Sequence, residues 1–199
     1  MTSRPPYRKQ VRHYHEPGDF HELTFSCYRR MPLLTNDRWR ALLSEAITAA
    51  MERHAFRLVA FVYMPEHVHL LVYPVGPCAK VEHLLCAIKR PFSFRIKRIL
   101  EGCRSPLLAK LTIRQRPGVM TFRFWQEGPG YDRNLFQPRR VLESIDYLHS
   151  NPVRRGLVAS AVSWRWSSIR KYSEESPLED PELPVVHGLP PEFFDPRDA

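Results

Sequence analysis

The stretch Phe56-Arg-Leu-Val-Ala-Phe-Val-Tyr-Met-Pro-Glu-His-Val-His-Leu-Leu-Val-Tyr73 constrains the fold more than any other. Two runs rich in Val, Phe, Tyr and Leu flank the break Met64-Pro65-Glu66, which predicts strands near 57–63 and 67–73 joined by a tight connection. Pro65 suits that turn, because its fixed φ and missing N–H disfavour a central strand. His67 and His69 stand two residues apart, so on a strand both imidazoles project from one face and Val68 from the other. Core packing alone explains two polar rings in so apolar a strand poorly. Two neutral imidazoles side by side make half of a divalent-metal site; Mg²⁺ and Mn²⁺ are the candidates, and imidazole suits Mn²⁺ better. A pair of hydrogen-bonded strand histidines is the alternative. Glu66, next in line, is expected to face the opposite way at the strand edge.

The flanking segments supply partners for this ribbon. Phe20–Tyr28 has the aromatic and β-branched content of a first strand. Asn36 can cap a helix in which Trp39, Leu42, Leu43, Ala46, Ile47 and Ala50 share one face, ending near His54. A second helix runs from about Ala79, with Pro91 expected to kink or break it and Phe92, Ile96 and Ile99 continuing the apolar spacing. Residues 101–120 read as irregular, and Val119–Trp125 as the last strand. Gln126-Glu-Gly-Pro-Gly130 is turn punctuation, and Tyr131–Leu135 reads as a short helical turn or a loop. A third helix starts after Pro138 and stops before Asn151-Pro152. The order β, α, β, β, α, β, α describes an α+β fold, an antiparallel sheet backed by helices close to the split βαβ plan.

Charge narrows the partner. The net charge is +9, yet residues 173–199 hold eight acidic groups against Arg197 alone, leaving +16 (29 basic, 13 acidic) on residues 1–172. A body so basic, with many arginines and aromatics, calls for a polyanion. Residues 1–18 read as a flexible basic arm, 19–172 as a single domain, and 173–199 as an acidic, Pro-rich appendage that could fold back over the basic face. The four cysteines form no Cys-x-x-Cys pair, so free thiols are expected rather than a zinc ribbon or a disulfide framework. With no long apolar run and no signal-like N-terminus, a cytoplasmic location is expected.

Tyr131 lies past the Gly-Pro-Gly turn among Arg123, Arg133, Arg139 and Arg140, cations that would favour a phenolate and bind phosphate. Half-buried packing is its alternative. Trp164 and Trp166 are assigned to packing. Arg4, Arg8, Arg12, Lys89, Arg90, Arg95, Arg98, Arg123 and Arg133 are the cations expected to grip backbone phosphates, with aromatics stacking unpaired bases.

His67-Val-His69 within Met64-Pro-Glu-His-Val-His-Leu-Leu-Val resembles the HUH motif (His-hydrophobe-His) of the single-tyrosine transposases. Phe124-Trp-Gln with Tyr131-Asp-Arg resembles their tyrosine segment. Asn151-Pro-Val-Arg-Arg-Gly-Leu-Val and Trp166-Ser-Ser with Tyr172 are similar to the REP-associated branch. The resemblance runs from about His21 to Tyr172. It implies an HUH endonuclease fold, His67 and His69 as ligands of Mg²⁺ or Mn²⁺, and Tyr131 as nucleophile. It further implies cleavage and transfer of single-stranded or hairpin DNA through a 5′-phosphotyrosine, by a monomer or a dimer. Insertion-sequence relatives place a polar third ligand one helical turn after the tyrosine. Here that position is Leu135, so Asn134, and after it Asp132, are the substitutes at hand. A protein that holds hairpin DNA without cutting it, and an unrelated metal hydrolase with a structural Tyr131, are the rival readings.

Overall fold

The computed structural model describes residues 18–128, 130–173 and 180–194. Four antiparallel strands form the central sheet: β1 (Phe20–Ser26), β2 (Phe56–Tyr63), β3 (His67–Pro74) and, after a hairpin described below, β6 (Tyr131–Leu135), in the order β2-β3-β1-β6. The Met64-Pro65-Glu66 connection joins β2 to β3 as expected.

Strand alternation divides the sheet into two faces. Leu23, Phe25, Leu58, Phe61, Val68, Leu70 and Val72 turn towards α1 (Asp37–Arg53) and α2 (Val81–Gly102) and form the larger core with them. Phe20, Val59, Ala60, Val62, Leu71 and Leu135 turn towards α4 (Pro138–Arg154), which buries Val141, Ile145 and Leu148 against them. Each fully buried side chain of this size contributes roughly 1.5–3 kcal/mol, so both faces are firmly held.

Asn36 caps α1 by accepting the Trp39 N–H at 3.1 Å. Two prolines fail to end their helices. Pro91 sits inside α2, where Ile88, Phe92 and Ile96 are all completely buried; packing on both sides of it offsets the roughly 3 kcal/mol that proline costs in a helix interior. Pro152 sits inside the last turn of α4, and the helix runs on to Arg154.

Residues 101–120 are more ordered than their composition suggests. They hold the short helix α3 (Pro106–Leu111), β4 (Thr112–Arg116) and the start of β5 (Val119–Phe122), and β4 and β5 make a separate hairpin. The expected last strand, Val119–Trp125, therefore pairs with β4 over Val119–Phe122, and only its end meets the main sheet, where Trp125 bridges Cys27 just past β1. Its end, Phe124 and Trp125, is buried in the larger core, and Tyr131–Leu135 is the fourth strand instead. That segment is a sheet edge, where charged residues are ordinary, and its polar alternation hid it.

The chain closes over the opposite edge. The backbone of Trp166 accepts the Tyr63 N–H, and Ser168 donates its N–H to Phe61 and takes the Phe61 N–H on its hydroxyl, along the free side of β2. Trp166 is buried, and the Arg40 guanidinium lies over both indoles, 5.3 Å from Trp164 and 5.5 Å from Trp166, so both tryptophans pack. All four cysteines are free thiols.

Candidate active site

His67 and His69 project from β3 on the face covered by α4, both nearly buried, with Val68 in the opposite core. Their Nε2 atoms approach to 2.9 Å. Each Nδ1 is anchored separately: His67 Nδ1 lies 3.1 Å from Glu66 Oε1, and His69 Nδ1 lies 2.7 Å from Thr24 Oγ1. Glu66 thus turns to the histidines, contrary to the expectation from strand alternation, because it sits in the connection just before β3 begins. Arg155, just past α4, donates to the same Glu66 oxygen at 2.8 Å. Burial opposes ionisation of Glu66, but the Arg155 hydrogen bond and the neighbouring imidazole outweigh it and hold the carboxyl below its usual range.

Both rings are neutral at pH 7. Burial lowers the His67 pKa, and burial together with its neighbour His67 pushes His69 down to about 3. An ionised carboxylate only accepts, so Glu66 fixes the proton on His67 Nδ1 and leaves the Nε2 lone pair outward. Thr24 is a hydroxyl and can donate to His69 Nδ1 or accept from it. When it accepts, both Nε2 lone pairs converge on one point, which is what a shared cation requires. The donor set therefore fits a divalent ion.

The third element of the site comes from α4. The Tyr147 ring stands edge-on to His69 with centroids 5.9 Å apart, and Arg154 lies 5.1 Å over the Tyr147 ring. Asn151, one helical turn on, lines the same cleft of about 340 Å³ as His67, His69 and Tyr147, with Arg30, Arg154 and Arg155 around it. Its side-chain Nδ2 donates to the Tyr147 carbonyl at 2.8 Å, so the amide oxygen, the cation-binding atom, is at the other end of the group. Among the described residues no group of three or more His, Cys, Asp or Glu side chains could hold an ion. Asn151 is the amide that lines the cleft with the two imidazoles.

The residues expected from sequence divide accordingly. Tyr131 opposes Thr24 across β1–β6, and Thr24 opposes His69 across β1–β3, so a whole strand separates Tyr131 from the histidines. It does line an adjoining cleft with Glu22, Thr24, His69 and Tyr147. Asn134 and Asp132 alternate to the other face: Asn134 donates to Asp19 at 3.0 Å, and Asp132 lies 3.1 Å from His21. The structure does not bring either to the imidazoles, and Leu135 is buried under α4.

Of the cations, Arg4, Arg8 and Arg12 fall outside the described residues. Lys89, Arg90, Arg95 and Arg98 ride on α2, which packs with α1 on the face away from the histidines. Lys89 covers the Phe25 ring at 4.9 Å, and burial pushes its pKa down to about 8. Arg95 pairs with Glu45, Arg98 with Glu101, and Arg123 with Glu127 at 2.8 Å. Arg133 alone of that set lines a cleft at the site. Arg140, expected beside Tyr131 as a phosphate-binding cation, does so as well, and Arg30, Arg154 and Arg155 were missed.

Comparison with known proteins agrees with this architecture. Residues 19–112 match the family model described as Transposase IS200 like, a span holding the first three sheet strands and both histidines. Over that span the chain is similar to the IS200-like transposases. A Haemophilus influenzae protein assigned as a REP-associated tyrosine transposase is 23% identical to this chain over 146 residues, 70% of this chain and 77% of its own length. A solved REP-associated tyrosine transposase bound to a REP hairpin superposes with a TM-score of 0.62, covering 89% of this chain and 92% of that one at 20% identity. No described helix of the chain is long and apolar enough to cross a membrane.

Proposed function

We propose that this chain cuts and rejoins single-stranded DNA beside a hairpin, with Tyr147 as the nucleophile. The observation that carries this reading is the placement of Tyr147 and Asn151, one turn apart on α4, over His67 and His69. Tyrosine followed one helical turn later by a polar ligand is the spacing that resemblance to the insertion-sequence transposases implies. Tyr131 and Leu135, on a strand, do not reproduce it. The 19–172 unit carries the site, and the hairpin partner is taken over from the solved relative.

His67, His69 and the Asn151 amide oxygen would hold Mg²⁺ or Mn²⁺, which when bound supplies Lewis-acid stabilisation of charge on a phosphoryl oxygen. Arg30, Arg154 and Arg155 line the cleft and screen the phosphodiester's charge as it enters. The Tyr147 oxygen attacks phosphorus, the P–O3′ bond breaks, and the departing oxygen leaves as a free 3′-hydroxyl bearing the proton. A 5′-phosphotyrosine remains. Attack by the 3′-hydroxyl of another strand reverses these events and joins the ends, so no external energy source is consumed. Glu66 keeps the His67 proton on Nδ1 throughout, and Thr24 does the same for His69.

A 5′-labelled and a 3′-labelled hairpin oligonucleotide incubated with Mn²⁺ test this. The expected result is a protein–DNA adduct stable to denaturation, absent in Tyr147→Phe and retained in Tyr131→Phe. The opposite pattern would return the nucleophile to Tyr131. Tight binding without any adduct would establish a hairpin-binding protein, and cleavage surviving both substitutions a hydrolase of another kind.

A further inference from the structure

Beside the histidine cleft lies a second one of about 440 Å³, sharing Thr24, His69 and Tyr147 with it. That volume falls in the range of about 300–1,000 Å³ typical of small-ligand sites. The half-exposed Tyr131 ring lines it from β6, and Arg133 and Arg140 contribute cations. Two carboxylates line it: Glu143, which pairs with Arg139 and Arg140 on α4, and Glu22, which is 6% exposed and opposes Arg133 across β1–β6 without a close ion pair. A carboxylate repels the phosphates that such a cleft should attract, so its position calls for a compensating role.

Glu22 Oε2 accepts from Ser144 Oγ at 3.1 Å and lies 3.9 Å from Arg133, too far for a hydrogen bond. Among the described residues Oε1 has no hydrogen-bond partner. An ionised carboxylate accepts only, and the groups on DNA that donate are base N–H groups. We infer that this cleft is a base-reading pocket next to the scissile phosphate, in which Glu22 accepts from the amino edge of an unpaired base stacked on Tyr131. Cytosine, adenine and guanine each carry an exocyclic amine. Thymine offers only N3–H between two carbonyls, which a carboxylate repels. Arg133 neutralises the phosphate of the same nucleotide, since Arg140 is already paired with Glu143. The inference rests on the DNA-cutting role proposed above, and gives Tyr131 a stacking role in place of a chemical one.

The test is a fluorescence-anisotropy titration of the full chain, in EDTA so that no bond is cut. The ligands are hairpin oligonucleotides whose single-stranded flank carries guanine, adenine, cytosine, thymine or an abasic residue at one position at a time. At one flank position an amino-bearing base is expected to bind about tenfold or more tighter than thymine or the abasic residue. Glu22→Gln, which keeps an acceptor for Ser144 but adds a donor, should reduce that ratio to within about threefold. Tyr131→Ala should bring every base at that position close to the abasic residue, while Tyr131→Phe, which keeps the stacking face, leaves the ratios unchanged. A wild-type chain indifferent to every flank base overturns the inference. So does a Glu22→Gln chain that weakens all oligonucleotides by one common factor, the mark of a purely structural carboxylate. If adducts form on Tyr147 but no flank base matters, the pocket falls and the nuclease stands; if no oligonucleotide binds, both fall.

Discussion

Glu66 shows how a site is set by a residue that need not touch its substrate. Its Oε1 accepts from both the His67 ring and Arg155, so a single carboxylate ties the strand that carries both histidines to the end of the helix that carries Tyr147. Removing such an outer partner of a ligating histidine commonly costs 10–100-fold in metal affinity. Glu66→Ala is accordingly expected to weaken Mn²⁺ binding by about tenfold or more, measured by titration calorimetry or by loss of the free-ion paramagnetic signal. Asn151→Leu, which removes the amide donor while preserving volume, should weaken Mn²⁺ binding without altering the His67–Glu66 contact. Equal Mn²⁺ affinity in the wild type and both variants would remove Glu66 and Asn151 from the site.

Strand β6 carries the cleft's outer wall, and one glycine sets where it lies. Gly130 adopts φ +86°, and a Cβ there would sit 2.2 Å from the Thr24 carbonyl oxygen. Backbone occupies that space, so no side-chain rearrangement relieves the clash, and the left-handed φ adds its own cost. Gly130→Ala is expected to destabilise the fold by about 2 kcal/mol or more, read as a lower midpoint in urea. Because Thr24 holds His69, Mn²⁺ affinity should fall in the same variant. This strand also marks where sequence reading reached its limit. The β2–β3 ribbon, the first strand and three of the helices were legible, because burial imposes period-2 and period-3.6 apolar patterns on them. β6 was not: at a sheet edge, with Tyr131 and Arg133 exposed and only Leu135 buried, its pattern is too polar to distinguish from a loop. The same polarity drew attention to Tyr131 among its arginines. Tyr147 lies in a helix whose apolar face dominates its sequence, and nothing in its neighbours along the chain singles it out. What identified it is a contact between residues 78 positions apart, which spacing along the chain does not encode.

The β2 edge decides how the sheet is exposed to other chains. An open strand edge invites pairing, and here the C-terminal segment lies along it: the His187 N–H donates to the Leu58 carbonyl at 2.8 Å, and His187 Nδ1 accepts the Leu58 N–H at 3.2 Å. Nearby, Val185 bonds to Thr48 on α1, and Arg165 pairs with Asp180 and Glu182. Burial first, then the charge of Arg57, lowers the His187 pKa, with Glu52 and the Leu58 backbone acting the other way. A histidine whose folded pKa lies below its unfolded value stabilises the docked state fully above the unfolded pKa, about 6.5, and loses that contribution as pH falls through the lowered one. Protonated, Nδ1 can no longer accept the Leu58 N–H. Between pH 7.5 and 5 the segment is therefore expected to release β2, with faster hydrogen exchange at the Leu58 amide and concentration-dependent association of the bared edge in sedimentation. His187→Gln, which has an acceptor and does not titrate, should hold exchange at Leu58 constant across that range. Unchanged protection in the wild type down to pH 5 would show that the Arg165 ion pairs and the Val185 contact suffice to keep the edge covered.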